Sequence, residues 1–134
     1  MRETTTAVPL LTWSRTYPGC ADQVRDARRF LAGVLAGRSI ADDAALCLSE
    51  LAANAVTHSN SRRPGGSFTV HVEIRQGDLV RVEVEDQGGS WTQSVCADGQ
   101  HGRGLLIVGH LARNWGITGD SHTGWTVWFE ITCS

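Results

Sequence analysis

Residues 68–89 read FTVHVEIRQGDLVRVEVEDQGG, and the alternation in this stretch decides the fold. Phe68, Val70, Val72 and Ile74 fall on one side of an extended chain, with Thr69, His71, Glu73 and Arg75 on the other. Gln76-Gly77-Asp78 supplies a turn, and Leu79 to Glu85 resumes the alternation through Val80, Val82 and Val84. Two such runs joined by a short glycine turn predict a β-hairpin with one buried and one wet face. Asp86-Gln87-Gly88-Gly89 then breaks the pattern where the second strand ends.

Upstream, the period changes from 2 to 3.6. Val24, Ala27, Leu31, Val34 and Leu35 carry helical spacing, with Asp22 in the first turn and Gly37 as a stop. Ser39 and Asp42 resemble a capping box for a second helix running to about Thr57. Its apolar face is Ala44, Leu48, Leu51, Ala52 and Ala55, and NSRRPGG (60–66) reads as a loop. Leu10 to Tyr17 reads as a strand with Leu11, Trp13 and Tyr17 on one side, preceded by a loose tail over residues 1–9.

Downstream, residues 86–104 are rich in Gly, Ser, Gln and Asp and carry no period, so they read as a long connection of the functional or mobile kind. A short helix over 105–111 and two strands, 115–118 and 125–132, complete the chain. Helices and strands in this order predict an α+β fold: a two-layer sandwich, one mixed, mostly antiparallel sheet with the helices on one face. A single domain over residues 10–134 accounts for the whole, as the 134-residue length suggests.

Composition narrows the function classes. With 41% hydrophobic and 19% charged residues the chain is an ordinary globular protein. A net charge of −2 leaves no surplus of cations for phosphate backbones, which argues against direct nucleic-acid binding, although Arg25, Arg28 and Arg29 cluster locally. No apolar run is long enough to span a membrane, and no secretory leader pattern opens the chain. Cys20, Cys47, Cys96 and Cys133 show no C-x-x-C spacing and read as reduced, mostly buried thiols of a cytoplasmic protein. There is no His-Glu-x-x-His, G-x-S-x-G or G-x-x-x-x-G-K motif, and the five histidines are scattered.

Three groups of residues remain. Glu50 and Asn54 lie one helical turn apart beside the apolar face, and His58 extends the stripe. A carboxamide oxygen there suits a hard cation such as Mg²⁺, and a carboxylate can orient or deprotonate a nucleophile. Taken alone, the stripe also reads as a solvated helix face. Asp86 at a strand end could accept a purine amino group, with the glycines giving a flat base room, or the segment is simply a tight turn. Gly102-Arg103-Gly104-Leu105 opens a helix whose free N–H groups could bind phosphate, or it is a plain glycine hinge.

Together, in this order and spacing, Glu50-x-x-x-Asn54, Asp86-x-Gly88-Gly89 and Gly102-x-Gly104-Leu105 resemble the N, G1 and G2 boxes of the GHKL superfamily. The resemblance covers roughly residues 10–132 and implies the Bergerat-type ATP-binding fold. Thr126, in Gly124-Trp125-Thr126-Val127, fits the hydroxyl residue which that family places beside adenine. Compact size and Tyr17-Pro18-Gly19 leading into an Arg-rich helix are most similar to the anti-sigma-factor serine/threonine kinases, a layout frequent among actinobacterial regulators. The pattern departs at Ser90, because Gly89 stands one place early in Asp-x-Gly-x-Gly.

Carried onto this sequence, the resemblance implies ATP and Mg²⁺ as cofactors, with Glu50 as catalytic base or orienting carboxylate and Asn54 as the Mg²⁺ ligand. Asp86, Gly88 and Thr126 would hold the adenine, and Gly102, Arg103, Gly104 and Leu105 the phosphates. The implied function is an ATP-binding anti-sigma factor with serine/threonine protein kinase activity. Its partners would be a sigma factor and an anti-anti-sigma protein, and the chain would form a homodimer. The alternative is a regulator that sequesters its partner on the same ATPase fold without phosphorylating it.

Overall fold

The computed structural model describes residues 9–89 and 103–132. Its centre is the hairpin of β2 (Ser67–Arg75) and β3 (Leu79–Glu85), paired antiparallel with Val72 opposite Val82. Burial alternates along both strands in the phase expected from their valines. β1 (Pro9–Pro18) joins β2, and β5 (Gly124–Thr132) joins β3 and carries β4 (Asn114–Asp120) on its far side. The sheet order is β1-β2-β3-β5-β4, with all described pairings antiparallel, the simplest form of the mostly antiparallel sheet expected.

Among the described residues three α-helices cover one face: α1 (Ala21–Val34), α2 (Ala41–His58) and α3 (Arg103–Leu111). α2 is the central one, touching β2, β3 and β5 and flanked by α1 and α3. Leu31, Leu35, Leu48, Leu51, Val108, Phe68, Val82 and Phe129 close the layer between helices and sheet. Each of these large side chains contributes roughly 1.5–3 kcal/mol by leaving water. Tyr17 stacks on Phe68 with centroids 5.4 Å apart, which anchors β1 to the same core.

The other face of the sheet is polar and internally paired. Arg81 reaches Glu83 and Glu130, and Arg75 reaches Glu73 and Glu130. The Arg81 guanidinium also lies 4.1 Å from the Trp128 ring centroid. Such half-exposed pairs add little stability individually. They let the face stand in water without unpaired charge.

Three local expectations change. The Ser39–Asp42 capping box does not form: Ile40 is the N-cap residue, without a side-chain cap bond. The chain enters α2 through a backbone turn, Ala41 N donating to the Arg38 carbonyl, and Ile40 is buried. Asp42 and Asp43 nevertheless occupy the first turn, where the helix dipole favours them. The loop over 60–66 begins as a 3₁₀ turn, Asn60–Arg62, capped by the Ser59 hydroxyl accepting from Ser61 N. Among the thiols, Cys47 is buried as expected but Cys20 is exposed at the start of α1. The tail over residues 1–8, the segment 90–102 with Ser90 and Gly102, Cys96 and Cys133 lie outside the described residues.

Candidate functional site

β3 delivers Asp86 to the helix-covered side of the sheet, one alternation beyond Val84, and its residue is only 5% exposed. A carboxylate this deep needs donors, and backbone supplies them. Gly88 N donates to Oδ1 at 2.7 Å, and Trp125 N donates to the same oxygen at 3.0 Å. Asp86 N in turn donates to the Trp125 carbonyl at 2.8 Å, so the aspartate is fixed to β5 from both its backbone and its side chain. Gly88 has φ 91°, and a Cβ there would lie 2.4 Å from the Ser121 carbonyl oxygen. The glycine is therefore demanded twice, by conformation and by space.

The turn beyond Asp86 is held from two further sides. Asn60 N donates to the Gly88 carbonyl at 2.9 Å, and Gln87 N donates to the Ser61 hydroxyl at 3.0 Å. From β5, the Trp125 indole Nε1 donates to the Gly89 carbonyl at 2.7 Å. The residues just past α2 and the start of β5 thus clamp one turn.

The second centre forms where α3 meets α2. A Cβ on Gly104 would sit 3.0 Å from Glu50 Oε1 and 3.8 Å from Asn54 Nδ2. The missing side chain lets the first turn of α3 approach the carboxylate and the carboxamide closely. Asn54 Nδ2 is buried and, among the described residues, has no hydrogen-bond partner. Leu105 is buried in the core, so only its backbone could meet a ligand. Cys47 lies one helical turn before Glu50–Leu51. Burial, then the charges of Asp43 and Glu50, push its thiol up to about 11, so it adds no negative charge beside Glu50 at neutral pH.

The structure therefore brings Glu50, Asn54 and Gly104 together, and ties Asp86 and Gly88 to the end of the same α2 helix through Asn60 and Ser61. His58 is half-buried in the last turn of α2. Arg103 opens α3, and Gly102 lies outside the described residues. Thr126 does not join the group. It pairs with Glu85 and Thr118 in the sheet and shares their parity, opposite to Val127, Phe129 and Ile131. Its side chain belongs to the polar face, and Trp125 occupies the side facing the helices, half-buried against the core. Trp125 is the residue of β5 that contacts the Asp86 turn, and the motifs did not point to it. Counting back by twos from Phe129 would have found it.

This donor set fits a magnesium nucleotide. The unpartnered Asn54 Nδ2 donor beside a carboxylate suits a phosphate oxygen, its amide oxygen suits a hard cation, and a glycine-lined buried aspartate suits a base with an exocyclic amine. Among the described residues no group of three or more His, Cys, Asp and Glu could hold a metal ion.

Residues 18–131 match the family described as the histidine kinase-like ATPase domain. Among solved structures, the chain superposes on the RsbU and RsbW domains of Rv1364c from Mycobacterium tuberculosis with a TM-score of 0.72 and 22% identity. That match covers 92% of this chain and 33% of the other. It also superposes on the histidine kinase domain of a blue-light activated histidine kinase from Erythrobacter litoralis EL346, with a TM-score of 0.54 and 19% identity, covering 98% of this chain and 66% of the other. The chain thus spans a third of the first structure and just under two thirds of the second, and at these identities the likeness concerns the fold. No curated protein sequence matches.

Proposed function

The chain belongs to the histidine kinase-like ATPase domain family, and on that premise we propose that it binds Mg-ATP and acts as an anti-sigma factor with serine/threonine kinase activity toward an anti-anti-sigma protein. The observation that carries this reading is the meeting of Gly104 with Glu50 and the unpartnered Asn54 amide. A buried amide atom without a partner costs stability, about 1–3 kcal/mol. A phosphate oxygen would accept from Nδ2, while the amide oxygen of the same side chain is left to face a cation.

Bound Mg-ATP supplies a transferable γ-phosphoryl group whose charge the metal partly neutralises. The chain's own residues then have separate tasks. Asp86 accepts a hydrogen bond from the adenine amino group, and Gly88 lets the ring approach the backbone. Asn54 holds the magnesium through its amide oxygen. The amides of Arg103, Gly104 and Leu105 at the start of α3, with that of Gly102 just before them in the sequence, would donate to phosphate oxygens, aided by the helix dipole. Glu50 accepts the proton of the partner's serine or threonine as its oxygen bonds to the γ-phosphorus, and the bond to the β-phosphate oxygen breaks to release ADP. In place of Thr126, Trp125 completes the base end.

Arg25, Arg28 and Arg29 are exposed on α1 and suit an acidic partner, in keeping with exchange between a sigma factor and its antagonist. A homodimer is part of the same proposal. Among the described residues no helix is long and apolar enough to cross a membrane. The kinase step is tested by adding the purified chain and γ-labelled ATP to a lysate of the source organism. Phosphoserine or phosphothreonine on a small protein, present with the unaltered chain and lost with Glu50→Gln, is the expected result. Nucleotide binding without any such label would contradict the kinase step and favour partner sequestration.

A further inference from the structure

Trp125 touches the base end of the site in a way that none of the motif residues does. Its backbone N–H donates to Asp86 Oδ1 at 3.0 Å, its carbonyl accepts from Asp86 N at 2.8 Å, and its indole Nε1 donates to the Gly89 carbonyl at 2.7 Å. The two ends of the Asp86–Gly89 turn are thereby fastened to a single residue. The ring itself is held, because it is half-buried and packs against the hydrophobic core under the sheet. A large flat side chain fixed by packing is a rigid post, and a hydrogen bond from it costs little rotamer entropy.

The fastening bears on recognition through one shared atom. Oδ1 of Asp86 accepts from both Gly88 N and Trp125 N, so the direction of the carboxylate follows the position of Gly88. Gly88 and Gly89 both have positive φ, 91° and 104°, and glycine peptides in that region move easily unless something beyond them is tied down. The far end is tied by Gly89 N donating to the Ser121 carbonyl at 2.9 Å and by the indole bond to the Gly89 carbonyl. Of these two ties, the indole bond is the one made by a side chain.

We propose that Trp125 is a positioning residue for base selection: its indole N–H fixes the Gly88–Gly89 turn and so aims the Asp86 carboxylate at the exocyclic amine of adenine. The inference rests on the nucleotide-binding reading of this site. It concerns discrimination rather than the phosphate end, which is built from α2 and α3.

The test compares ATP with ITP, whose base carries a carbonyl where adenine carries the amine, by calorimetry on the intact chain. Trp125→Phe keeps the packed ring and removes the donor. It should lower the ATP-over-ITP preference by about three- to tenfold, the range of one neutral hydrogen bond. The increment in affinity on adding Mg²⁺ should stay unchanged. Trp125→Ala, which also removes the packing, should lower the preference at least as far and depress the melting temperature as well. Should Trp125→Ala fail to fold, Trp125→Phe alone decides. A Trp125→Phe protein that melts lower yet keeps the full ATP-over-ITP preference would reduce Trp125 to a structural residue and overturn the inference. Full ATP preference in the unaltered chain, retained by Trp125→Phe, sinks this inference alone. Failure of the unaltered chain to bind either nucleotide sinks the site reading with it.

Discussion

Asn54 Nδ2 is a polar atom buried without a partner among the described residues, beside a helix start that Gly104, lacking a side chain, brings near. A group of that kind is a burden on the nucleotide-free protein and an asset when a ligand arrives. Asn54→Leu, close in volume and apolar, should therefore raise stability in the absence of nucleotide by about 0.5–2 kcal/mol, read by urea denaturation. The same variant should lose the Mg²⁺-dependent part of ATP affinity. The thiols give a second outcome at this scale. The Cys47 thiol, pushed up to about 11 chiefly by burial, has almost no thiolate at pH 7, so it should resist iodoacetamide until the protein unfolds. Cys20, exposed, should be alkylated in the folded state, and peptide mapping by mass spectrometry separates the two. At Gly88 an alanine methyl would strike the Ser121 carbonyl in a left-handed backbone. Gly88→Ala should cost at least about 1–2 kcal/mol and weaken nucleotide binding, measured by thermal melting and calorimetry.

At the scale of elements, α2 carries both the core and the site. Leu48 is fully buried in the helix–sheet core, so Leu48→Ala should destabilise the fold by about 2–5 kcal/mol, as read from the urea midpoint. Any loss of nucleotide affinity in that variant should track unfolding rather than chemistry. The strands and helices were legible because their periods are clean: the valines of β2 and β3 alternate without a break, and the α1 and α2 faces keep helical spacing. Ends were less legible where backbone, not side chains, sets them. Ile40 took the cap that Ser39 was expected to hold because a turn from Arg38 delivers the helix start one residue later. Thr126 was misplaced for a related reason. A motif match attaches a role to a residue type, whereas the strand's parity assigns the face, and parity gives the inward side to Trp125.

For the whole molecule, the order of elements predicted a sheet with helices on one face, and hydrophobic alternation alone is enough to require that arrangement. It did not give the strand order, in which β5 inserts between β3 and β4, because pairing partners depend on contacts distant in sequence. The site was legible only as a combination. Glu50, Asn54, Asp86 and Gly104 each have an ordinary alternative reading, and what joins them is a fold that sets α3 on α2 and ties the Asp86 turn to α2's end. The most direct measurement of that joint claim is calorimetric ATP binding with and without Mg²⁺ by the unaltered chain, Asp86→Ala and Asn54→Ala. Binding by the unaltered chain, its loss in Asp86→Ala, and loss of only the Mg²⁺-dependent part in Asn54→Ala are the expected results. No binding by the folded, unaltered chain, or equal binding by all three, would contradict it.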